Sequence, residues 1–233
     1  MRPTYRRALI VGAGEGVSAS LARQFHACGI AVGLASRSTD KLASLAAATK
    51  AHVHACDASR PADVTALFAH MDKALGGPPE VVVYNASGRV RGPFVDLDAG
   101  AVEKAIAISA YGGFLVAQAA AKRMLPAGHG AILFTGASAS VKGYAQSAPF
   151  AMGKFALRGL AQSLARELSP KGIHVAHFVI DGAIRSAARP ESPDAPDAML
   201  DPDAIAASYL AVLDQYRSAW TWEMELRPWV ERF

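Results

Sequence analysis

The chain has 233 residues, 52% of them hydrophobic and 19% charged, with a formal net charge of +4 at pH 7. This length supports one large α/β domain with a substantial core, and the composition excludes a disordered chain. The arginines are scattered, with no lysine-rich or aromatic-interleaved run, which argues against nucleic-acid binding; the two cysteines, Cys28 and Cys56, lack metal-ligand spacing and read as reduced thiols.

The opening MRPTYRRALIVGAGEG sets basic residues before an apolar run, but residues 8–11 are too few for a secretory signal. No run approaches the ~20 apolar residues of a membrane span. The expectation is a soluble, cytoplasmic protein without a membrane segment. Short apolar runs at 8–11, 30–34, 51–55, 80–84, 131–135, 173–180 and 220–226 read as strands. Between them, periodic segments at 17–28, 39–49, 61–75, 99–125, 147–168 and 202–215 read as helices. Apolar strands with little alternation imply a sheet covered on both faces, and strand–helix alternation implies parallel pairing. The expected fold is a Rossmann-like, doubly wound three-layer sandwich with a seven-stranded, mostly parallel sheet, formed as a single domain over residues 1–233.

The first turn, LIVGAGEGVSAS, has Gly12, Gly14 and Gly16, which let backbone turn tightly and approach a pyrophosphate at a helix N-terminus. Val17 stands where a third glycine would close the common dinucleotide fingerprint, so the spacing that fits is Gly-x-x-x-Gly. The second strand ends in Ser36, Arg37 and Ser38, where an NAD site has an acid; arginine and hydroxyls suit a 2′-phosphate, which favours NADP(H) over NAD(H). Glu15 opposes a 2′-phosphate if it points that way. In the helix over 147–168, Phe150, Lys154, Leu157, Ala161, Leu164 and Leu168 share one stripe, so a lysine faces the interior and requires a partner. The segment 185–201, rich in Pro, Asp and Ser, follows the sixth strand and reads as a flap over a site, or as an inert surface loop. The terminal AWTWEMELRPWVERF reads as a buried subunit contact or as a sheet edge folded onto its own core.

Together with the glycine spacing, CDAS after the third strand, YNAS after the fourth, GASAS after the fifth and the Phe150–Lys154 helix make the chain resemble the short-chain dehydrogenase/reductase family over about residues 6–226. The resemblance implies that Gly12 and Gly16 are the family's first two loop glycines, with Ser18 replacing the third; Gly14, Glu15 and Val17 complete the expected cofactor-binding loop. It implies that Asp57, with Ala58 beside it, meets the adenine, and that Asn85, Ala86 and Ser87 form the turn after the fourth strand, Tyr84 and Ser87 replacing an asparagine and a glycine. Lys154 would grip the nicotinamide ribose, Ile184 would offer backbone to the carboxamide with Ser186 in place of a threonine, and Ser138 would bind the substrate oxygen. Phe150, twelve residues after Ser138, stands where the family has the tyrosine that transfers the proton. Ser109 replaces an asparagine of the proton relay, and Asp181-Gly182 a Pro-Gly.

The cofactor half of the pattern is thus retained and the proton-handling half altered. The expected activity is NAD(P)(H)-dependent oxidation or reduction of a small carbonyl, alcohol or enone, the proton coming from Tyr144, Ser138, a relayed water or solvent. The alternative is a non-catalytic NADP(H)-binding sensor or scaffold. Residues 87–94, Tyr144 and the segment after Ile184 would wall the substrate pocket, with Arg89 and Arg91 as anion contacts or solvated side chains. A small molecule is the expected partner, with neither nucleic acid, membrane nor metal; the family resemblance implies a homodimer or homotetramer.

Overall fold

A computed structural model describes residues 4–231. Seven strands, β1 (Arg7–Val11), β2 (Ala31–Ser36), β3 (His52–Ala55), β4 (Val81–Tyr84), β5 (Gly130–Thr135), β6 (Ile173–Ile180) and β7 (Glu223–Leu226), form one sheet in the order β3-β2-β1-β4-β5-β6-β7. All six pairings are parallel, so the sheet is parallel throughout and not merely for the most part. Alternate residues along each strand feed two separate cores. Ala8 and Ile10, Val81 and Val83, and Ala131 and Leu133 face α1 (Val17–Ala27) and α7 (Pro202–Leu213). Leu9 and Val11, Val82 and Tyr84, and Ile132 and Phe134 face α3 (Pro61–Ala74), α5 (Gly112–Met124) and α6 (Ala148–Leu168). Both faces being apolar is what erases the alternation in the sequence.

Between β2 and β3 the helix is shorter than expected: Asp40–Leu42 is a 3-10 turn that leads into α2 (Ala43–Thr49). The segment expected as one helix over 99–125 is α4 (Ala99–Ile106), a π-helical turn at Ala107–Tyr111, then α5. The wide turn frees the Ile108 carbonyl to accept from the Tyr84 hydroxyl, and brings Ser109 to the Gly88 backbone. From Ala99 to Ala127 the helix is long and apolar enough to cross a membrane, contrary to the expectation that no segment is. Its buried side chains, among them Val116, Ala117, Ala120 and Met124, pack on the sheet.

At the C-terminal edge, the strand expected from residue 220 begins at Glu223, because Arg217–Ala219 is a 3-10 turn and the Trp220 ring stacks on His174 at 4.5 Å. Trp222 packs on the second core, so this edge folds onto its own domain; Trp229 is 80% exposed. Residues 185–201 contain no helix or strand. They are tied at both ends, where the Arg185 N–H donates to the Leu200 carbonyl, the Leu200 N–H donates to the Ala183 carbonyl, and Arg185 pairs with Asp201 at 2.5 Å. Strand order reverses between β1 and β4, and a parallel sheet opens a crevice at the carboxyl ends of its strands at such a point.

Candidate functional site

Two cavities share Asn85 and Ser87 along that carboxyl edge. The first, about 550 Å³, is lined by Gly12, Ser36, Arg37, Ser38, Lys41, Asp57, Ala58 and Ala86 among others. The second, about 660 Å³, runs past Glu15, Gly16 and Val17 to Thr135, Ala137, Ser138, Phe150 and Lys154, and to Ile184 on the far wall.

The glycine turn between them is built for close approach. Gly12 has φ +86°, and a Cβ there would lie 2.3 Å from the Ala86 nitrogen, so any side chain would force the β1 and β4 turns apart. Gly16, at φ +82°, precedes α1 with no side chain capping the helix, which leaves its first N–H groups to a ligand. Ser18, the residue in place of a further glycine, is buried and structural: its hydroxyl donates to the Gly12 carbonyl at 3.3 Å and accepts from Asn85 Nδ2 at 2.7 Å. Asn85 thereby ties the β4 turn to the glycine turn.

Arg37 is exposed at the end of β2, and Lys41, which sequence reasoning missed, joins it in the same cavity. Its only sequence signal is a cation four residues after Arg37, and such a charge ordinarily reads as solvated. Glu15 lines the other cavity and not the one that holds Arg37 and Lys41. Asp57 accepts from the Ser59 hydroxyl at 2.7 Å and backbone N–H at 3.0 Å, and the hydroxyl contact holds its carboxyl below the usual range.

Lys154 is 3% exposed, and its partner is the Thr135 carbonyl at the end of β5, 2.7 Å from Nζ. Burial lowers its pKa to about 8. One turn back, the Phe150 ring carries the Lys154 ammonium 5.9 Å from its centroid and the Arg89 guanidinium 4.9 Å from it. Sequence reasoning brought Phe150 and Lys154 together but not Arg89 onto the ring. Ser138 lines the same cavity beside Ala137, and among the described residues its hydroxyl has no hydrogen-bond partner.

The turn bearing Ala137 and Ser138 is braced from beneath. The Ala137 N–H donates to Ser140 Oγ at 3.1 Å, and Ser140 lies 3.3 Å from His177 Nε2. His177 Nδ1 lies 3.0 Å from Glu223, which Arg158 clamps at 2.6 and 2.7 Å. Burial lowers the His177 pKa to about 4, so the ring is neutral and bridges Glu223 to Ser140. Ser140 and His177 are fully buried and line neither cavity, so this chain of polar groups fixes the turn and does not meet a substrate.

One expectation for the proton path, Tyr144, is not met in the geometry, and the departure at Ser109 has a structural reason. Tyr144 lines neither cavity and is 48% exposed, because its carbonyl takes the Ser147 N–H in a turn that leaves its ring to solvent. Ser109 is bound by Gly88, accepting its N–H at 2.9 Å, and is packed against Gly153, where a Cβ would lie 2.7 Å away; its hydroxyl is therefore committed to that backbone rather than to Lys154. Asp181, expected as a departure in the β6 turn, is buried and pairs with Lys142 at 3.0 Å and Arg227 at 3.3 Å.

The model of the short chain dehydrogenase family matches residues 6–195. Among curated proteins, (+)-borneol dehydrogenase 1 of Salvia officinalis is 34% identical over 173 residues, covering 71% of this chain and 65% of that protein, so the match spans slightly less than two thirds of that relative. Among solved structures, a short-chain dehydrogenase from Rhodopseudomonas palustris is 36% identical with a TM-score of 0.83, covering 97% of this chain and all of that one. A metagenomic short-chain oxidoreductase in complex with NADP is 26% identical, with a TM-score of 0.83 and coverage of 97% and 98%. The chain belongs to the short chain dehydrogenase family.

Proposed function

We propose that the protein is an NADP(H)-dependent oxidoreductase acting on a small carbonyl, alcohol or enone. The observation that carries this reading is one continuous edge with Arg37 and Lys41 at one end and the buried Lys154, held by the Thr135 carbonyl, at the other. The residues present fit the cofactor: an uncapped helix start after Gly16, a glycine turn held tight against the β4 turn at Gly12, and two cations where a 2′-phosphate would lie. The NADP complex of the metagenomic relative supports the same choice.

When bound, NADPH supplies a hydride. Lys154 would hold the ribose hydroxyls while the Thr135 carbonyl keeps its ammonium aimed at them. Ser138 would donate its uncommitted hydroxyl to the substrate oxygen, and Phe150 occupies the family's proton-transfer position without an exchangeable proton. The proton for an alkoxide would then pass from water through Ser138, whereas enone reduction can take its proton at carbon directly from solvent. The segment 185–201 would fold over the bound pair, and the exposed Tyr111, Phe114, Met152 and Phe155 of neighbouring helices support a homo-oligomer.

The test is a titration of NADPH and NADH against the parent and an Arg37→Ala/Lys41→Ala variant. The variant is expected to bind NADPH about 10- to 100-fold more weakly, since charge-assisted contacts to phosphate are lost, with NADH affinity nearly unchanged. An unaltered preference for NADPH would remove the 2′-phosphate from this end of the cleft.

A further inference from the structure

We infer that the substrate carries an anionic group, a carboxylate or a phosphate, near its reacting carbon, and that Arg89 is its principal contact. This rests on the reductase reading of the same cleft. Among the described residues its charged lining is Arg89, Arg91, Arg185, Arg189 and Lys154 against one acid, Glu15, although the whole chain is only +4. A concave wall of one sign concentrates its field on what enters, so this cleft selects for negative charge.

Not all of these cations are equally available. Arg185 is paired with Asp201, and Lys154 is held by Thr135 at the cofactor side. Arg89 and Arg91 have no ion-pair partner among the described residues. The backbone that carries them is nevertheless held. Gly88 is pinned on one side, donating its N–H to Ser109, and a Cβ there would lie 2.5 Å from Ala105; on the other side the Gly92 N–H donates to the Gln146 carbonyl at 3.2 Å. The backbone bearing both arginines is therefore anchored at each end.

The Arg89 guanidinium lies over the Phe150 ring, 4.9 Å from its centroid. A ring face holds a guanidinium in one orientation while leaving N–H groups at its edge for a forked contact to carboxylate or phosphate oxygens. Because Phe150 marks the proton-transfer position, an anion held there sits next to the carbon that is reduced or oxidised. A short oxo acid or a phosphorylated ketone meets that geometry; the ring explains why a position without an exchangeable proton still bears a large aromatic side chain.

The test titrates pyruvate, acetoacetate, their methyl esters and hydroxyacetone phosphate against the parent, Arg89→Gln and Arg89→Lys, with and without NADPH. Binding is read by calorimetry and turnover by NADPH oxidation, and circular dichroism confirms that the exposed substitutions leave the fold intact. The parent is expected to bind at least one of the anions about 10- to 100-fold more tightly than the neutral esters, a preference that Arg89→Gln removes and Arg89→Lys keeps in part. Tighter binding of the oxo acids identifies carboxylate, and of hydroxyacetone phosphate, phosphate. Equal binding of anions and esters by the parent, or a preference that survives Arg89→Gln, overturns the inference. Anion binding lost in Arg89→Gln with no oxidation of NADPH sustains it while refuting the reductase reading; esters oxidising NADPH as readily as acids do the reverse.

Discussion

Under the proposed reading, Phe150→Tyr is expected to raise NADPH-dependent ketone reduction by about 10²- to 10⁴-fold, the usual worth of a placed general acid. A hydroxyl added to this ring would extend from a site flanked by the Arg89 guanidinium at 4.9 Å and the Lys154 ammonium at 5.9 Å from the ring centroid. Two cations favour the phenolate and lower the phenol's pKa from its usual value near 10, so it could release its proton to an alkoxide closer to neutral pH. Enone reduction moves far less, because its proton goes to carbon and water can supply it. The measurement is kcat for a ketone and for an enone in both proteins. A ketone kcat unmoved by the new hydroxyl would show that residue 150 does not stand at the proton-transfer position.

Lys154→Met is the second large effect, and it acts on stability and binding in opposite directions. The Lys154 pKa falls from 10.5 to about 8 because burial penalises the ammonium. Below pH 8 the group is charged in the folded and unfolded chains alike, and the full penalty is present. Between about 8 and 10.5 the folded chain gives up its proton first, the unfolded chain binds more protons, and stability rises with pH. The penalty corresponds to roughly 3 kcal/mol, from which the lost hydrogen bond to the Thr135 carbonyl takes back about 1–2 kcal/mol. Methionine fills the same volume, so the cofactor-free variant is expected to gain about 1–2 kcal/mol at pH 7, or several degrees in Tm, and to lose the rise above pH 8. NADPH affinity should fall about 10- to 100-fold as the contacts to the ribose disappear. Thermal melts across pH with and without NADPH check both arms; a variant less stable than the parent and unaltered in NADPH affinity would make Lys154 a structural residue. This opposition is the usual one between a stable core and a functional group placed in it.

The sheet was legible because a strand buried on both faces must be apolar at every position, as VVVY in β4 and IHVAHFVI in β6 very nearly are. Lys154 was legible for the opposite reason: a cation on an apolar helical stripe signals that something waits inside. The Thr135 carbonyl that answers it was not, since a backbone acceptor leaves no trace in residue identity. Arg89 on Phe150 depends on how the β4 loop folds across α6, and Lys41 on how a 3-10 turn brings it to the glycine loop; neither packing has a period that a sequence displays. The π turn at Ala107–Tyr111 was hidden by a continuous helical pattern, and the Tyr84 hydroxyl that meets its Ile108 carbonyl lies on a neighbouring element. Tyr144 misled because a flexible stretch before a helix says nothing of where its side chain comes to rest. Ser140, His177, Glu223 and Arg158 are scattered over some eighty residues of chain and meet only in the fold.

A crystal structure of the protein with NADPH decides whether Lys154 holds the cofactor. Its nicotinamide ribose hydroxyls are expected within hydrogen-bond reach of Lys154 Nζ, the pyrophosphate at the start of α1 and the 2′-phosphate between Arg37 and Lys41. A saturated crystal with the sheet's carboxyl edge bare, or with the ribose held away from Lys154, would contradict that placement.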